Sequence, residues 1–136
     1  MSFITDLIGV GVTAEEAKIL SLDEPTSAPN RKVSLALTAA GTTIADALQL
    51  TSFVHTVATT AVSTGVKLAS AWPIGQFGLV QNNGANALNL YPPTTACGFN
   101  SAAPTGAAIT IAAAAACLIV RYSATDFGAF VLAKEA

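Results

Sequence analysis

The sequence predicts a mainly β protein, an antiparallel β-sandwich or barrel of jelly-roll-like type with a short helical N-terminal arm, and three observations carry that prediction. Val33-Ser34-Leu35-Ala36-Leu37-Thr38 places apolar residues at odd positions and small or polar ones at even positions, the period of a strand. Beyond it, short apolar segments follow one another with Gly, Pro, Asn and Thr between them, the punctuation of an all-β domain. Asn82-Asn83-Gly84-Ala85 stands between two such segments. Asn-Gly tolerates the positive φ of a type I′ turn, so this tetrapeptide predicts a tight hairpin.

The arm reads as two helical pieces. Ser2 caps a first turn that sets Phe3, Ile4, Leu7 and Ile8 on one face, and Gly9 and Gly11 break it. Thr13-Ala14-Glu15-Glu16 then forms a capping box, in which the Thr13 hydroxyl reaches the Glu16 amide and the Glu16 carboxylate reaches back. The second piece carries Ala14, Ala17 and Leu20 on one side and ends before Pro25. Both are shorter than the dozen or so residues an isolated helix needs, so they must dock on the body or on a neighbour. Phe3, Leu7, Ala17 and Leu20 form the candidate interface stripe.

Charge divides the chain. Residues 1–32 hold eight of its 14 charged side chains: Asp6, Glu15, Glu16, Lys18, Asp23, Glu24, Arg31 and Lys32. With Pro25 and Pro29 in the same region, this predicts a helical arm and linker over 1–32 and a β-sandwich body over 33–136. After Val33–Thr38, strands are expected at Ile44–Leu50, Phe53–Val62, Gly65–Leu68, Gln76–Gln81, Ala87–Tyr91, Ala108–Ile111, Cys117–Ser123 and Phe127–Leu132. The alanines between Ile111 and Cys117 read as a connection. No phosphate loop, βαβ spacing or repeat of clear period is apparent.

Composition points to assembly. The chain has 28 alanines and 16 threonines, and only 10% of its residues are charged. Burying an alanine methyl contributes roughly 0.8 kcal/mol against about 1.5–3 kcal/mol for Leu, Ile or Phe. Ordering the backbone costs roughly 1–2 kcal/mol per residue whatever the side chain. Apolar surface buried between subunits would narrow that gap. A net charge of −2 offers no basic footprint for nucleic acid. The N-terminus lacks the basic start of a signal peptide, and the uncharged run from Gly106 to Val120 is too short to span a bilayer as a helix. No membrane association is expected. Cys97 and Cys117 read as reduced, core-packed thiols, although spacing does not exclude a bridge.

Chemistry is hard to find. His55 is the single histidine, and a nucleophilic triad would have to use it with a partner such as Asp46 or Asp126. Phe53 and Val57 share its side of a strand, so a half-buried or interface histidine is the plainer reading. The carboxylates form no acid–base motif, and one histidine with two distant cysteines lacks the close ligand pairs of a zinc site. No enzyme, metal or cofactor is expected. Trp72, Phe77, Tyr91, Phe99, Tyr122, Phe127 and Phe130 could build a carbohydrate or receptor surface, but core packing is the default for aromatics spread over strands.

At Gly65-Val66-Lys67-Leu68, at Gln81-Asn82-Asn83-Gly84-Ala85-Asn86-Ala87-Leu88-Asn89-Leu90-Tyr91-Pro92 and at Ser123-Ala124-Thr125-Asp126-Phe127, the chain resembles small β-domains of tailed-bacteriophage virion proteins. These are head decoration, cement or head-fibre proteins, and the resemblance covers roughly residues 42–132. It implies a capsid decoration protein that binds the major capsid protein and stabilises the shell as an oligomer, expected to be a homotrimer. It also implies a place on the capsid surface, with assembly in the host cytoplasm. Phe3, Leu7, Ala17 and Leu20 would then be a capsid or subunit interface. The alternative is a head- or tail-fibre module that binds a host receptor or glycan, with an aromatic and polar patch at the loops between strands.

Overall fold

A computed structural model describes residues 33–133 of the chain. The expected helical arm and linker, 1–32, with its interface candidates Phe3, Leu7, Ala17 and Leu20, lies outside the described residues. The described residues are mainly β, with ten strands among them: β1 Val33–Thr38, β2 Leu48–Gln49, β3 Val54–Thr59, β4 Gly65–Lys67, β5 Phe77–Asn82, β6 Leu88–Tyr91, β7 Gly98–Phe99, β8 Ile109–Ile111, β9 Ala116–Arg121 and β10 Asp126–Leu132. They form a six-stranded sheet in the order β1-β3-β5-β9-β10-β7 and a four-stranded sheet in the order β2-β4-β6-β8.

The path between the sheets corrects the antiparallel jelly-roll expectation. The chain lays one strand in the larger sheet and the next in the smaller, then returns beside its own previous turn. Accordingly β1, β3 and β5 pair in parallel, as do β2, β4 and β6. Three coils stack in this way, and the sheets are mixed and solenoid-like in their stacking. After β7 the chain runs backwards, with β8 antiparallel to β6 and β9 antiparallel to β5. Only then does it make a hairpin, from β9 to β10 across Ser123-Ala124-Thr125.

Successive coils differ in length, which is why no repeat stands out in the sequence. In the larger sheet Val33 pairs with Val54 and Val54 with Leu79, and the second of these intervals along the chain is the longer. In the smaller sheet Leu48 pairs with Val66 and Val66 with Leu90, and again the second interval is the longer. Each coil keeps its strand positions while its corners vary.

The core fills the space between the sheets. Val57, Val80, Cys117, Ile119 and Phe127 from the larger sheet cluster with Val66, Leu88, Leu90 and Ile111 from the smaller. Leu50 and Leu68 close one corner at equivalent positions of successive coils, and both are buried. Their amides extend the ladder, Leu50 N to Lys67 O at 2.8 Å and Leu68 N to Tyr91 O at 3.1 Å.

Asn82 to Ala87 is therefore a crossing between sheets, and the hairpin expected there is absent. Gly84 does not take the positive φ of a type I′ turn; the described glycines that do are Gly41, Gly75 and Gly106. Its glycine is required by space, because a Cβ would fall 2.2 Å from Thr60 Oγ1. That buried hydroxyl donates to Asn86 O at 2.9 Å and accepts from Asn86 N at 3.1 Å, tying one coil's corner to the next.

Other expectations shift by smaller amounts. Most of Ile44–Leu50 is a turn, drawn in by Asp46 Oδ1, which accepts from Thr43 N at 2.7 Å and Thr43 Oγ1 at 2.6 Å. Only Leu48 and Gln49 pair as strand. The two-residue β7 offers no alternation to read. Asn100 prolongs its pairing by hydrogen-bonding both backbone groups of Ala129 through its side chain. The alanines after Ile111 do form a connection, with Ala115 N bonded to Ala112 O at 3.1 Å.

Candidate interaction surface

Strand parity in the larger sheet sends one set of side chains into the core and the other to the outside. The core set includes His55, Val57, Val80, Cys117 and Ile119, all fully buried. The outer set is aligned by register into rows across the strands. One row is Val33, Val54, Leu79, Leu118 and Phe130, on five adjacent strands. Beside it Phe77 stands level with Val120 and Gly128, and Gln81 with Ala116 and Leu132. Tyr122 joins this face, since its hydroxyl oxygen lies 2.4 Å from where a Cβ on Gly128 would be.

This outer face is apolar and exposed over much of its area, with Val120 and Gly128 buried and Leu79 and Leu118 half-buried within its rows. Among the described residues ten large hydrophobic side chains are exposed, and seven of them are Val33, Leu35, Val54, Phe77, Tyr122, Phe130 and Leu132 of this face. Leu35 is 65% exposed and Phe77 60%, far beyond a packed side chain. These rows hold no charged side chain, and Asp126, at the start of β10, is engaged by Ser101. The outward positions of the smaller sheet, by contrast, include Gln49, Lys67, Asn89 and Thr110. A contiguous exposed apolar patch of this kind marks an interaction site more often than chance exposure does.

The edge of the face has its own irregularity. Register slips between Ser34 and Leu37, where Ala36 takes a φ of 55°. The bulge removes the Ala36 amide from the ladder, and Thr56 Oγ1 accepts it at 2.9 Å. It also turns Leu37 against the core while Val33 and Leu35 stay outside. The alternation in Val33–Thr38 thus marks a strand whose leading apolar residues face outwards.

The seven aromatics singled out as a possible binding surface divide between core and surface. Trp72, Tyr91, Phe99 and Phe127 are buried as expected, whereas Phe77, Tyr122 and Phe130 are exposed on the outer face. A signal for this face was present in the chain. Ala116 to Val120 is apolar without alternation, the pattern of a strand covered on both sides.

The candidate catalytic groups are not brought together. His55 is fully buried, with Nδ1 3.2 Å from the carbonyl oxygen of Leu79. That carbonyl can only accept, so the ring proton sits on Nδ1, and Nε2 is a buried acceptor without a partner among the described residues. No described carboxylate hydrogen-bonds to the ring. Asp46 holds its turn, and Asp126 accepts from Ser101 N at 2.9 Å and Ser101 Oγ at 3.2 Å. The Thr43 hydroxyl and backbone amides hold the Asp46 carboxyl below the usual aspartate range. Among the described residues no three His, Cys, Asp or Glu side chains are grouped to hold a metal. Cys97 and Cys117 are separate buried thiols, and burial pushes the Cys117 pKa up to about 11, so it stays protonated. No helix among the described residues is long and apolar enough to cross a membrane.

Burial pulls the His55 pKa below its ordinary 6.5, against a smaller raising effect from its hydrogen bonds to backbone. The unfolded chain therefore binds the proton first as pH falls. Stability should be level above about pH 7 and decline below about pH 6.5, by at most about 1.4 kcal/mol per pH unit from this one group. Urea melts between roughly pH 5 and 7.5 check it, because no second histidine titrates there. A flat profile would mean that the ring is not held neutral.

Arg121 has a structural use. Its guanidinium lies over the Phe127 ring, 5.2 Å from the centroid, and donates to Ser70 O at 3.1 Å, to Trp72 O and to Ala124 O at 2.8 Å. It fastens the segment before β5 to the β9–β10 hairpin. No protein-family model matches this chain, and no curated protein or solved structure matches it either.

Proposed function

We propose that this chain is a structural virion protein of a tailed bacteriophage, a capsid decoration or cement protein that binds the major capsid protein shell and acts as an oligomer. The observation that carries the reading is the wide, uncharged, exposed apolar face of the six-stranded sheet, a surface suited to being covered. The resemblance of the 65–68, 81–92 and 123–127 segments to phage head proteins supplies the setting. The arm residues Phe3, Leu7, Ala17 and Leu20 supply a second apolar element for gripping the shell or a neighbouring subunit. The role requires no catalytic group, cofactor or nucleic acid.

The fibre alternative asks for aromatic and polar groups together at the loops between strands. Here Phe77 and Phe130 stand on strands amid aliphatic side chains, which favours a protein interface over a glycan site. Co-sedimentation with shells that lack this protein is the test. The full chain should pellet with them, and a variant lacking residues 1–28 should bind more weakly. Failure of the full chain to bind any such shell would overturn the reading. Undiminished binding by the truncated chain would remove the arm from it.

A further inference from the structure

We infer that the outer face of the six-stranded sheet is an interface between copies of this chain. This rests on the reading above only in naming that face as the surface to be covered, and its partner follows from charge, size and symmetry.

Each copy carries a net charge of −2, yet the rows of the face place no charged side chain where a second copy would meet them. Two faces can therefore approach without opposing like charges, while Lys67, the one charged side chain on the strands of the smaller sheet, stays away from the contact. The face also has little polar content with which to select a different partner. Gln81 is its one amide, the Thr56 hydroxyl is already bonded to Ala36 N, and the Tyr122 hydroxyl lies over Gly128 at the margin of the face. An aliphatic and aromatic face with so few directional groups finds its complement in a copy of itself, because symmetry presents the same patch from both sides.

Size agrees. Five strands at about 4.8 Å and three outward positions per strand at about 6.7 Å make a face of roughly 24 Å by 20 Å. A pair of such faces covers about 1,000 Å², where specific interfaces begin. Face-to-face sheets pack about 10 Å apart with their strands within roughly 30° of alignment. That is the interior arrangement of a β-sandwich, here assembled from two chains.

Sedimentation equilibrium of the full chain without shells tests the inference separately from capsid binding. The wild type should run as a dimer at micromolar concentration. Val54→Lys and Phe130→Lys, which place a charge on two different strands of the face, should each shift it to the 13.7 kDa monomer. Phe130→Ser removes apolar area without adding charge and should weaken association about tenfold or more, which covers a lysine variant that does not fold. Val62→Lys and Ile74→Lys alter exposed apolar residues outside the face and should leave the oligomer intact. A monomeric wild type would assign the face to another occupant, the chain's own N-terminal segment or the shell. That result, or an oligomer that persists in both Val54→Lys and Phe130→Lys, would overturn the interface whatever the shells bind.

Discussion

Replacing Asn82 by leucine is expected to destabilise the body by about 3–5 kcal/mol, because it breaks a buried hydrogen-bond set at the crossing between the sheets. Asn82 is fully buried. Its Nδ2 lies 2.9 Å from Asn86 O, 3.0 Å from Ile111 O and 3.1 Å from Ala112 O, and its Oδ1 accepts from Gly84 N at 2.9 Å. One amide thus joins the third coil to the strand that runs back beside it. Leucine has similar bulk and no polar atom, so it would leave several of these groups in the interior without water or partner. Each such group costs roughly 1–3 kcal/mol, and relaxation of the loop recovers part of the total. Asn82→Asp is the informative companion. It keeps the acceptor for Gly84 N but opposes an ionised carboxylate to carbonyl oxygens, so it should be destabilised at neutral pH and regain stability in mild acid. Urea melts of both variants would decide the matter, and wild-type midpoints would show that the network contributes little.

Trp72→Ala should cost a comparable amount, about 3–5 kcal/mol, by a different route. The indole is fully buried, meets the Phe53 ring edge-on at a centroid distance of 5.0 Å, and donates from Nε1 to Gln76 O at 3.0 Å. It also fills the space above Gly78, where a Cβ would lie 2.4 Å from the indole carbons and 2.4 Å from Phe53 O. Removing the ring opens a cavity between segments that cannot easily close, since the adjoining turn is held by Arg121. Gly78→Ala does not compensate in the double variant, because the backbone oxygen of Phe53 still obstructs the new methyl. Thermal melts of Trp72→Ala with and without Gly78→Ala should both fall well below the wild type.

Strand positions were largely readable in the chain, because period-two alternation and turn residues are local properties. β5, β6, β8, β9 and β10 lie within a residue or two of where Phe77, Leu88, Ile109, Leu118 and Phe127 suggested. The hairpin at Ser123-Ala124-Thr125 is present, whereas the stronger-looking Asn-Gly signal at Gly84 marks a crossing between sheets. Both are short polar connections between apolar runs, and nothing in either says whether the chain turns back beside itself or passes to the opposite sheet. Likewise His55 was readable as an apolar-face histidine, but its complete burial and bare Nε2 depend on strands distant in the chain.

Side-chain period, turn chemistry and composition are each set over a few neighbouring residues. They were enough to establish that the body is β, where most strands run, and that charge is scarce throughout it. Packing between distant segments settled the rest: the parallel stacking of β1, β3 and β5, the backward closing strands, and which apolar positions were left outside. Alternation separates the two sides of a strand but does not say which one meets the core. Val33 and Leu37 share one apolar stripe in the sequence, yet a single bulge at Ala36 places the first on the outer face and the second against the interior.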